Sequence, residues 1–189
     1  MTDPTNSDVI DRLVDIFLRR GSDSYLGEDV TMSEHMLQAA ALAESEGADE
    51  SLIAAALLHD VGHFADEFSA YDPSDIFDKR HDIVGARLLE PYFDRRTVDA
   101  VCLHVAAKRY LCAANPEYLS LLSTASAHSL ELQGGPMSPN EVVEFEGHNG
   151  FSDAIRVRVW DDHAKVSGAV TPSFEEYLPL LRRVLRTEK

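Results

Sequence analysis

Residues 56–63 read ALLHDVGH, which places a histidine and an aspartate side by side. This pair, His59 and Asp60, follows an apolar run over residues 53–58 that indicates a buried helix ending close to the pair. Successive helical residues point about 100° apart, so the two side chains can reach two neighbouring metal positions. We therefore predict a metal site at this turn, with the Asp60 carboxylate bridging two ions.

Three further histidines recur at similar intervals along the chain. His35 lies 24 positions before His59, His81 lies 21 positions after Asp60, and His104 lies 23 positions after His81. Each falls on its own predicted helix, and a repeat of this size returns the chain to the same end of a helix bundle, where metal sites are commonly built. With an aspartate from a later helix, the predicted ligands are His35, His59, Asp60, His81, His104 and Asp161.

Imidazole and carboxylate ligands suit iron, zinc, manganese or cobalt and disfavour calcium. Two such ions that share a bridging carboxylate lie about 3.5–4 Å apart. A single histidine is more often an ordinary surface or core residue than a ligand, so the prediction depends on the six residues together. Three other histidines do not fit the spacing, and we interpret them as non-ligands: His128, His148 and His163.

Helix signals dominate the chain and predict an all-α fold. Pairs typical of capping boxes occur at Thr31 and Glu34, Ser138 and Glu141, and Ser173 and Glu176, while Asp49, Asp94 and Asn115 are candidate N-caps. The one strand-like alternation, residues 155–159, is interpreted as helical because Arg158 and Asp161 then share a face. Residues 64–78 have the weakest helical pattern and predict a loop over the site.

Composition limits the possible partners. The chain has 33 acidic and 17 basic residues, a net charge of −16, which argues against binding to nucleic acid or to an anionic membrane surface. We find no apolar run long enough to span a membrane and no signal peptide. Only two cysteines are present. These features predict a single cytoplasmic domain over residues 1–189, with free thiols.

The pattern H…HD…H…H…D resembles the HD superfamily, and specifically its di-metal branch. Within that branch, the sequence is similar to the mixed-valent di-iron oxygenases that include the 2-amino-1-hydroxyethylphosphonate dioxygenases. The matching stretches are YLGE at residues 25–28, ALLHDVGH at 56–63, HVAAKRY at 104–110, QGGPM at 133–137 and WD at 160–161. The resemblance implies an HD-domain helical bundle with the di-metal site in its core.

Several side chains are placed to bind an anion beside the metals. Lys108 lies four residues after His104, and Arg158 lies three residues before Asp161, so each cation shares a helical face with a predicted ligand. A guanidinium is a good bidentate partner for a phosphonyl group. A surface ion pair is the alternative interpretation of both cations. His63, four residues after His59, and Ser126 complete the predicted phosphonyl-binding set.

The resemblance also implies roles and a reaction. Tyr25 is expected to ligate one iron until substrate displaces it, and Glu28 to sense the substrate amine. His63 and Lys108 are the candidate catalytic side chains. The implied cofactors are two iron ions, Fe(II) and Fe(III), with O2 as co-substrate. The implied reaction cleaves the C–P bond of a small organophosphonate to give a carboxylate and phosphate.

The sequence allows two alternatives for the chemical group at the distal end of the substrate. A trimethylammonium group, giving glycine betaine, is favoured by aromatic and acidic side chains in the predicted lid; a primary amine would give glycine. The main rival is a di-metal HD phosphohydrolase acting on a nucleotide or phosphodiester, and a second is a non-catalytic binding module. The lid side chains are Phe64, Asp66, Glu67, Phe68, Tyr71, Asp72, Asp75 and Phe77.

Overall fold

The computed structural model describes residues 6–67 and 80–186. In that part of the chain the elements are helical and no strand is formed, which confirms the predicted all-α fold. The helices are α1 Asn6–Arg20, α2 Met32–Ser45, α3 Glu50–Leu58, a 3-10 segment Val61–Glu67, α4 His81–Leu89, α5 Arg95–Ala114, α6 Pro116–Leu121, α7 Thr124–Leu132, α8 Pro139–Glu146, α9 Phe151–His163 and α10 Phe174–Arg183.

The predicted caps account for where most helices begin. Capping boxes form at Thr31, Ser138 and Ser173, each with the glutamate three residues later. The side chains of Asp49 and Asp94 accept hydrogen bonds from the first turns of α3 and α5. A side-chain oxygen at these positions satisfies a backbone N–H that the helix itself leaves unpaired. The six predicted caps, including Asn115 before α6, are therefore confirmed.

Helix α3 lies at the centre of the molecule. Its residues from Leu52 to Leu58 are all buried, and three successive alanines, Ala54 to Ala56, have no exposed surface. Small side chains let neighbouring helices approach α3 closely, and its surroundings include α2, α5, α9 and α10. Because α3 is enclosed on all sides, the residues at its C-terminal end are delivered into the core.

Helix α9 contains the strand-like alternation Ile155–Val159, which is helical as predicted. Val157 is fully buried, whereas the guanidinium of Arg156 lies over the ring of Trp160, 4.9 Å from its centroid. Packing of α9 against α5 thus overrides the intrinsic preference of valine for strands. No helix in residues 6–67 and 80–186 is long and apolar enough to cross a membrane.

The predicted loop over residues 64–78 is wrong at its start. Residues up to Glu67 continue the 3-10 segment, and Phe64 is buried, with the guanidinium of Arg20 5.4 Å from its ring. Phe64 is therefore a packing residue of the core. It does not fit the predicted role in a cation cage, because such a cage needs exposed aromatic rings. The side chains of Asp66 and Glu67 lie outside the described part of the structure. The remaining predicted lid residues also lie outside it: Phe68, Tyr71, Asp72, Asp75 and Phe77.

Candidate metal centre

The turn after α3 brings His59 and Asp60 against the start of α4. Gly62 makes this approach possible, because a Cβ at its position would lie only 2.0 Å from the backbone oxygen of His81. Helix α4 begins at His81, so the close contact sets its first side chain beside Asp60. A glycine is needed here for close approach of two backbones.

His35 and His59 form a first pair with their Nε2 atoms 3.0 Å apart. Nδ1 of His35 donates to the carbonyl oxygen of Ala164 at 2.9 Å, and Nδ1 of His59 donates to that of Ala56 at 2.8 Å. Because a carbonyl oxygen only accepts, both Nδ1 atoms carry a proton, so Nε2 is the atom of each ring that can offer a lone pair to a metal. Two lone pairs facing each other in a buried site require a cation between or beside them.

His81 and His104 form a second pair with the same spacing, 3.0 Å between their Nε2 atoms. Nδ1 of His104 donates to the carbonyl oxygen of Val101 at 2.7 Å, which fixes the lone pair on its Nε2. Hydrogen bonds of this kind orient metal-bound imidazoles in general. The second pair therefore repeats the chemistry of the first.

Asp60 lies between the two pairs, with one oxygen turned to each. Its Oδ1 is 3.3 Å from Nε2 of His81 and 3.6 Å from that of His104. Its Oδ2 is 3.4 Å from Nε2 of His59 and 3.5 Å from that of His35. This is the arrangement of a carboxylate that bridges two ions.

Asp161 on α9 completes the first cluster, with Oδ1 3.5 Å from Nε2 of His35. Oδ1 of Asp161 and Oδ2 of Asp60 are buried and have no hydrogen-bond partner among the described residues. Unpaired buried carboxylate oxygens are costly unless a cation neutralises them. The structure thus brings together all six residues predicted as ligands.

These residues fit a pair of metal ions. Two nitrogen ligands at right angles, each about 2.1 Å from an ion, lie about 3 Å apart, which matches both histidine pairs. Burial acts to lower the pKa of His59, but the carboxylates of Asp60 and Asp161 raise it to about 9. In the metal-free chain a proton on His59 therefore supplies positive charge that a metal ion would otherwise bring, and metal binding should release that proton.

A tight turn before α2 carries Tyr25 and Glu28 to the same cavity. Leu26 and Gly27 have φ values of +42° and +86°, and the backbone N–H of Glu28 donates to the Tyr25 carbonyl at 2.7 Å. The ring of Tyr25 stacks on His35 with centroids 3.9 Å apart. Burial and the neighbouring carboxylates of the cluster raise the pKa of Tyr25 well above its usual value. Glu28 accepts a hydrogen bond of 2.5 Å from the hydroxyl of Ser123.

The cavity opens onto the second histidine pair, His81 and His104, and onto the carboxylates of Asp60 and Asp161. Lys108 is buried in its wall and donates to Oγ of Ser129 at 2.7 Å. His63 stacks on His81 with centroids 4.3 Å apart, and its Nε2 lies 3.9 Å from Oδ1 of Asp60. The residues predicted for the substrate all line this cavity: Tyr25, Glu28, His63, Lys108, Ser126 and Arg158.

Arg158, predicted to bind the substrate, makes most of its contacts with other protein side chains. One terminal nitrogen donates to Asp161 at 2.6 Å, the other contacts Asp162, and Nε donates to the hydroxyl of Tyr118 at 3.1 Å. The Tyr118 hydroxyl also donates to Asp162. Most of the guanidinium is thus engaged with protein groups, and it holds the carboxylate of Asp161 toward the histidines.

A model of the HD domain matches residues 32–143. The chain belongs to the HD-domain family. Among curated relatives, a Leisingera caerulea protein named [1-hydroxy-2-(trimethylamino)ethyl]phosphonate dioxygenase (glycine-betaine-forming) is 47% identical over 94% of this chain and 90% of its own. A Gimesia maris protein named hydroxymethylphosphonate dioxygenase is 46% identical over 82% of this chain and 77% of its own. An uncharacterised protein of Acanthamoeba polyphaga mimivirus is 32% identical over 91% and 80%.

Two pocket residues of this HD-domain chain were missed by the sequence analysis. Lys165 lies four residues after Asp161, the same spacing that singled out Lys108 after His104, but it follows the end of α9. Ser129 lies one helical turn after Ser126 on α7. The three histidines interpreted as non-ligands lie outside both clusters found in the described residues.

Replacing Gly62 with alanine is expected to remove metal from the second histidine pair. The new Cβ would meet the His81 carbonyl at 2.0 Å, so α4 must shift and carry the His81 side chain away from Asp60. We expect metal analysis to give about one equivalent fewer than in the wild type. Gly147→Ala is the matched control, because its Cβ would have no contact shorter than 3.4 Å. Full metal content in Gly62→Ala would contradict the role of this contact.

Proposed function

We propose that this HD-domain chain is a di-iron oxygenase that uses O2 to cleave the C–P bond of a 1-hydroxyphosphonate. The observation that carries the proposal is a cation-lined cavity that opens onto the second of two histidine pairs, and onto the one aspartate that the two pairs share. Two relatives that match most of the chain are both named phosphonate dioxygenases, which supports the same reaction. Bound iron would supply O2 activation and one-electron redox chemistry.

The donor set supports a metal ligand role for each of the six residues. His35, His59 and Asp161 would hold one ion, His81 and His104 the other, and Asp60 both. The second ion has fewer protein ligands within reach, which leaves positions for small molecules. Tyr25, stacked on His35, would occupy a ligand position until substrate enters.

The cavity walls would bind and orient the substrate. Lys108 and the hydroxyl of Ser126 would hold the phosphonyl oxygens, and His63 would donate to the same group from the opposite wall beside His81. Glu28 would face the cationic end of the substrate. Positioning of the C1 hydroxyl at the ions is the main contribution of the protein, because no side chain need act as a nucleophile.

We propose 1-hydroxy-2-(trimethylammonio)ethylphosphonate as the preferred substrate, giving glycine betaine and phosphate. A carboxylate recognises a trimethylammonium group by charge alone, and Glu28 supplies that charge. The Leisingera caerulea relative, which matches 94% of this chain, is named for this compound. Hydroxymethylphosphonate is the second candidate, because the Gimesia maris relative is nearly as similar and named for it.

The test is to load the protein anaerobically with iron, admit O2 and offer each 1-hydroxyphosphonate separately, including the primary amine. We expect one phosphate and one carboxylate per O2, since one oxygen atom enters each product. The trimethylammonium substrate should have the highest kcat/KM. Phosphate release from a generic phosphodiester without O2 uptake would identify a phosphohydrolase and overturn the proposal.

The affinity for phosphonate is expected to fall as the pH rises through about 8. Burial and the neighbouring Arg158 lower the pKa of Lys108 to about 8, so its positive charge is present below that pH and lost above it. The phosphonyl group then loses a charged donor. KM measured from pH 6.5 to 9.5 should rise on the alkaline side.

Lys108→Arg is the control for this pH dependence, because a guanidinium stays protonated throughout the range. We expect the alkaline rise in KM to be absent in that variant, even if its KM is higher at every pH. The same rise in both proteins would assign it to another group, such as the substrate itself.

A further inference from the structure

A second lysine lines the cavity beside the proposed phosphonyl-binding residues. Lys165 follows α9, its side chain is 12% exposed, and its ammonium donates to Oγ of Ser126 at 2.9 Å. Lys108 makes the matching contact with Oγ of Ser129 at 2.7 Å. The two serines lie three residues apart on α7 and are therefore neighbours on one helical face. The two lysines consequently stand side by side over the cavity.

The ammonium group of Lys165 has donors left for a ligand. Its nearest carboxylate oxygens, on Glu28 and Asp161, are both 3.9 Å away and so beyond hydrogen-bond distance. Within residues 6–67 and 80–186, Ser126 is its one hydrogen-bond partner. Because an ammonium carries three N–H donors, two of them can turn to an anion in the cavity.

The charges around the cavity make the two lysines the main cationic candidates for binding an anionic substrate. The net charge of −16 repels an anionic substrate at long range. Arg158 is largely neutralised by Asp161 and Asp162. The pKa of Lys108 is lowered by burial and Arg158, and Lys165 adds to that lowering. Among the described residues, each of the two lysines donates a hydrogen bond to a serine and none to a carboxylate, so both are suited to bind an anion.

We propose that Lys165 and Lys108 form a two-lysine clamp that binds the phosphonyl oxygens, with each lysine oriented by its own serine of α7. This inference rests on the proposed function, since it names the groups that would hold the anionic end of that substrate. Lys165 contributes a direct contact, Ser129 acts as a positioning residue, and Ser126 both orients Lys165 and donates its own hydroxyl to the anion.

Lys165 is also a specificity-determining residue in this arrangement. It is the cation nearest to Glu28 in the described part of the chain. When its ammonium turns to the phosphonyl group, the Glu28 carboxylate is left to face the distal end of the substrate. A cationic distal end gains from this exchange, whereas the uncharged end of hydroxymethylphosphonate does not.

The binding test uses methylphosphonate, which lacks the C1 hydroxyl and is not turned over. Calorimetric titration of the iron-loaded protein without O2 should give a Kd about tenfold or more weaker for Lys165→Gln than for the wild type. Lys165→Arg should recover part of the loss because it restores the charge. Arg182→Gln removes the same charge from an exposed position of α10 and should leave Kd unchanged.

The specificity test compares kcat/KM for two substrates. The substitution Lys165→Gln should lower kcat/KM more for hydroxymethylphosphonate than for the trimethylammonium substrate. In that variant the Lys165 ammonium no longer competes with the substrate cation for the Glu28 carboxylate. We expect the ratio of the two values to shift by about threefold or more toward the cationic substrate. A defect in folding alone would lower both values equally.

Three results would count against the clamp. An unchanged Kd in Lys165→Gln with unchanged iron content would overturn it and leave the proposed function standing. Loss of iron in Lys165→Gln would also overturn it, because the lysine would then act by holding Asp161. No binding of methylphosphonate to the wild type, together with no phosphate release from any 1-hydroxyphosphonate, would overturn the proposed function itself.

Discussion

Asp60→Asn is expected to lose both metal ions and about a thousandfold or more of the oxygenase activity, which is about 4 kcal/mol in transition-state free energy. Each carboxylate oxygen of Asp60 faces a different histidine pair, at 3.3 to 3.6 Å from the four Nε2 atoms. An amide keeps the shape but offers one neutral oxygen, and its NH2 group turns donors toward the other pair. Metal analysis after desalting measures the loss directly.

Two aspartate variants serve as controls for this result. Asp161→Asn should lose only the ion of the first pair, because Asp161 approaches His35 and not the second pair. Asp82→Asn should keep both ions: Asp82 is buried next to His81 but belongs to neither cluster, and burial raises the pKa of its carboxyl group. Two retained equivalents of metal in Asp60→Asn would show that this residue does not bridge.

The sequence was sufficient for the fold and for the convergence of the ligands because both depend on local rules. Side-chain caps and the apolar run before His59 mark where helices begin and end. A histidine on each of several successive helices, at intervals of 21 to 24 residues, returns to one end of the bundle. Spacing of this kind survives folding because helix length and short connections set it.

Tertiary contacts explain what the sequence could not provide. The spacing of Arg158 predicted a shared face with Asp161, but the contact of Tyr118 from α6 with the same guanidinium joins residues 40 positions apart. Lys165 lies beyond the last turn of α9, where helical periodicity no longer tells the direction of a side chain. Phe64 was assigned to a loop because the 3-10 segment has no apolar period that distinguishes it from one.

Arg158→Met is expected to destabilise the metal-free protein by about 3–5 kcal/mol. The guanidinium is buried between Asp161 and Asp162, and an apolar side chain would leave both carboxylates without their closest cation. Burial acts to raise the pKa of Asp161, but Arg158 in particular holds it well below the usual value. The free energy of unfolding, measured in urea at pH 7, gives the size of the loss.

The pH dependence and a matched variant separate this effect from a general packing defect. A carboxyl group whose pKa is depressed in the folded state stabilises the protein above about pH 4, and that contribution is lost as the pH falls. The difference between wild type and Arg158→Met should therefore be full from pH 7 down to about pH 4 and should narrow as the pH falls below 4. Arg183→Met removes an exposed ion pair with Glu50 at 2.7 Å and should cost far less stability than Arg158→Met, because solvent screens the exposed pair. Equal losses in the two variants, or a difference that does not change with pH, would contradict a buried ion pair that holds Asp161 in place.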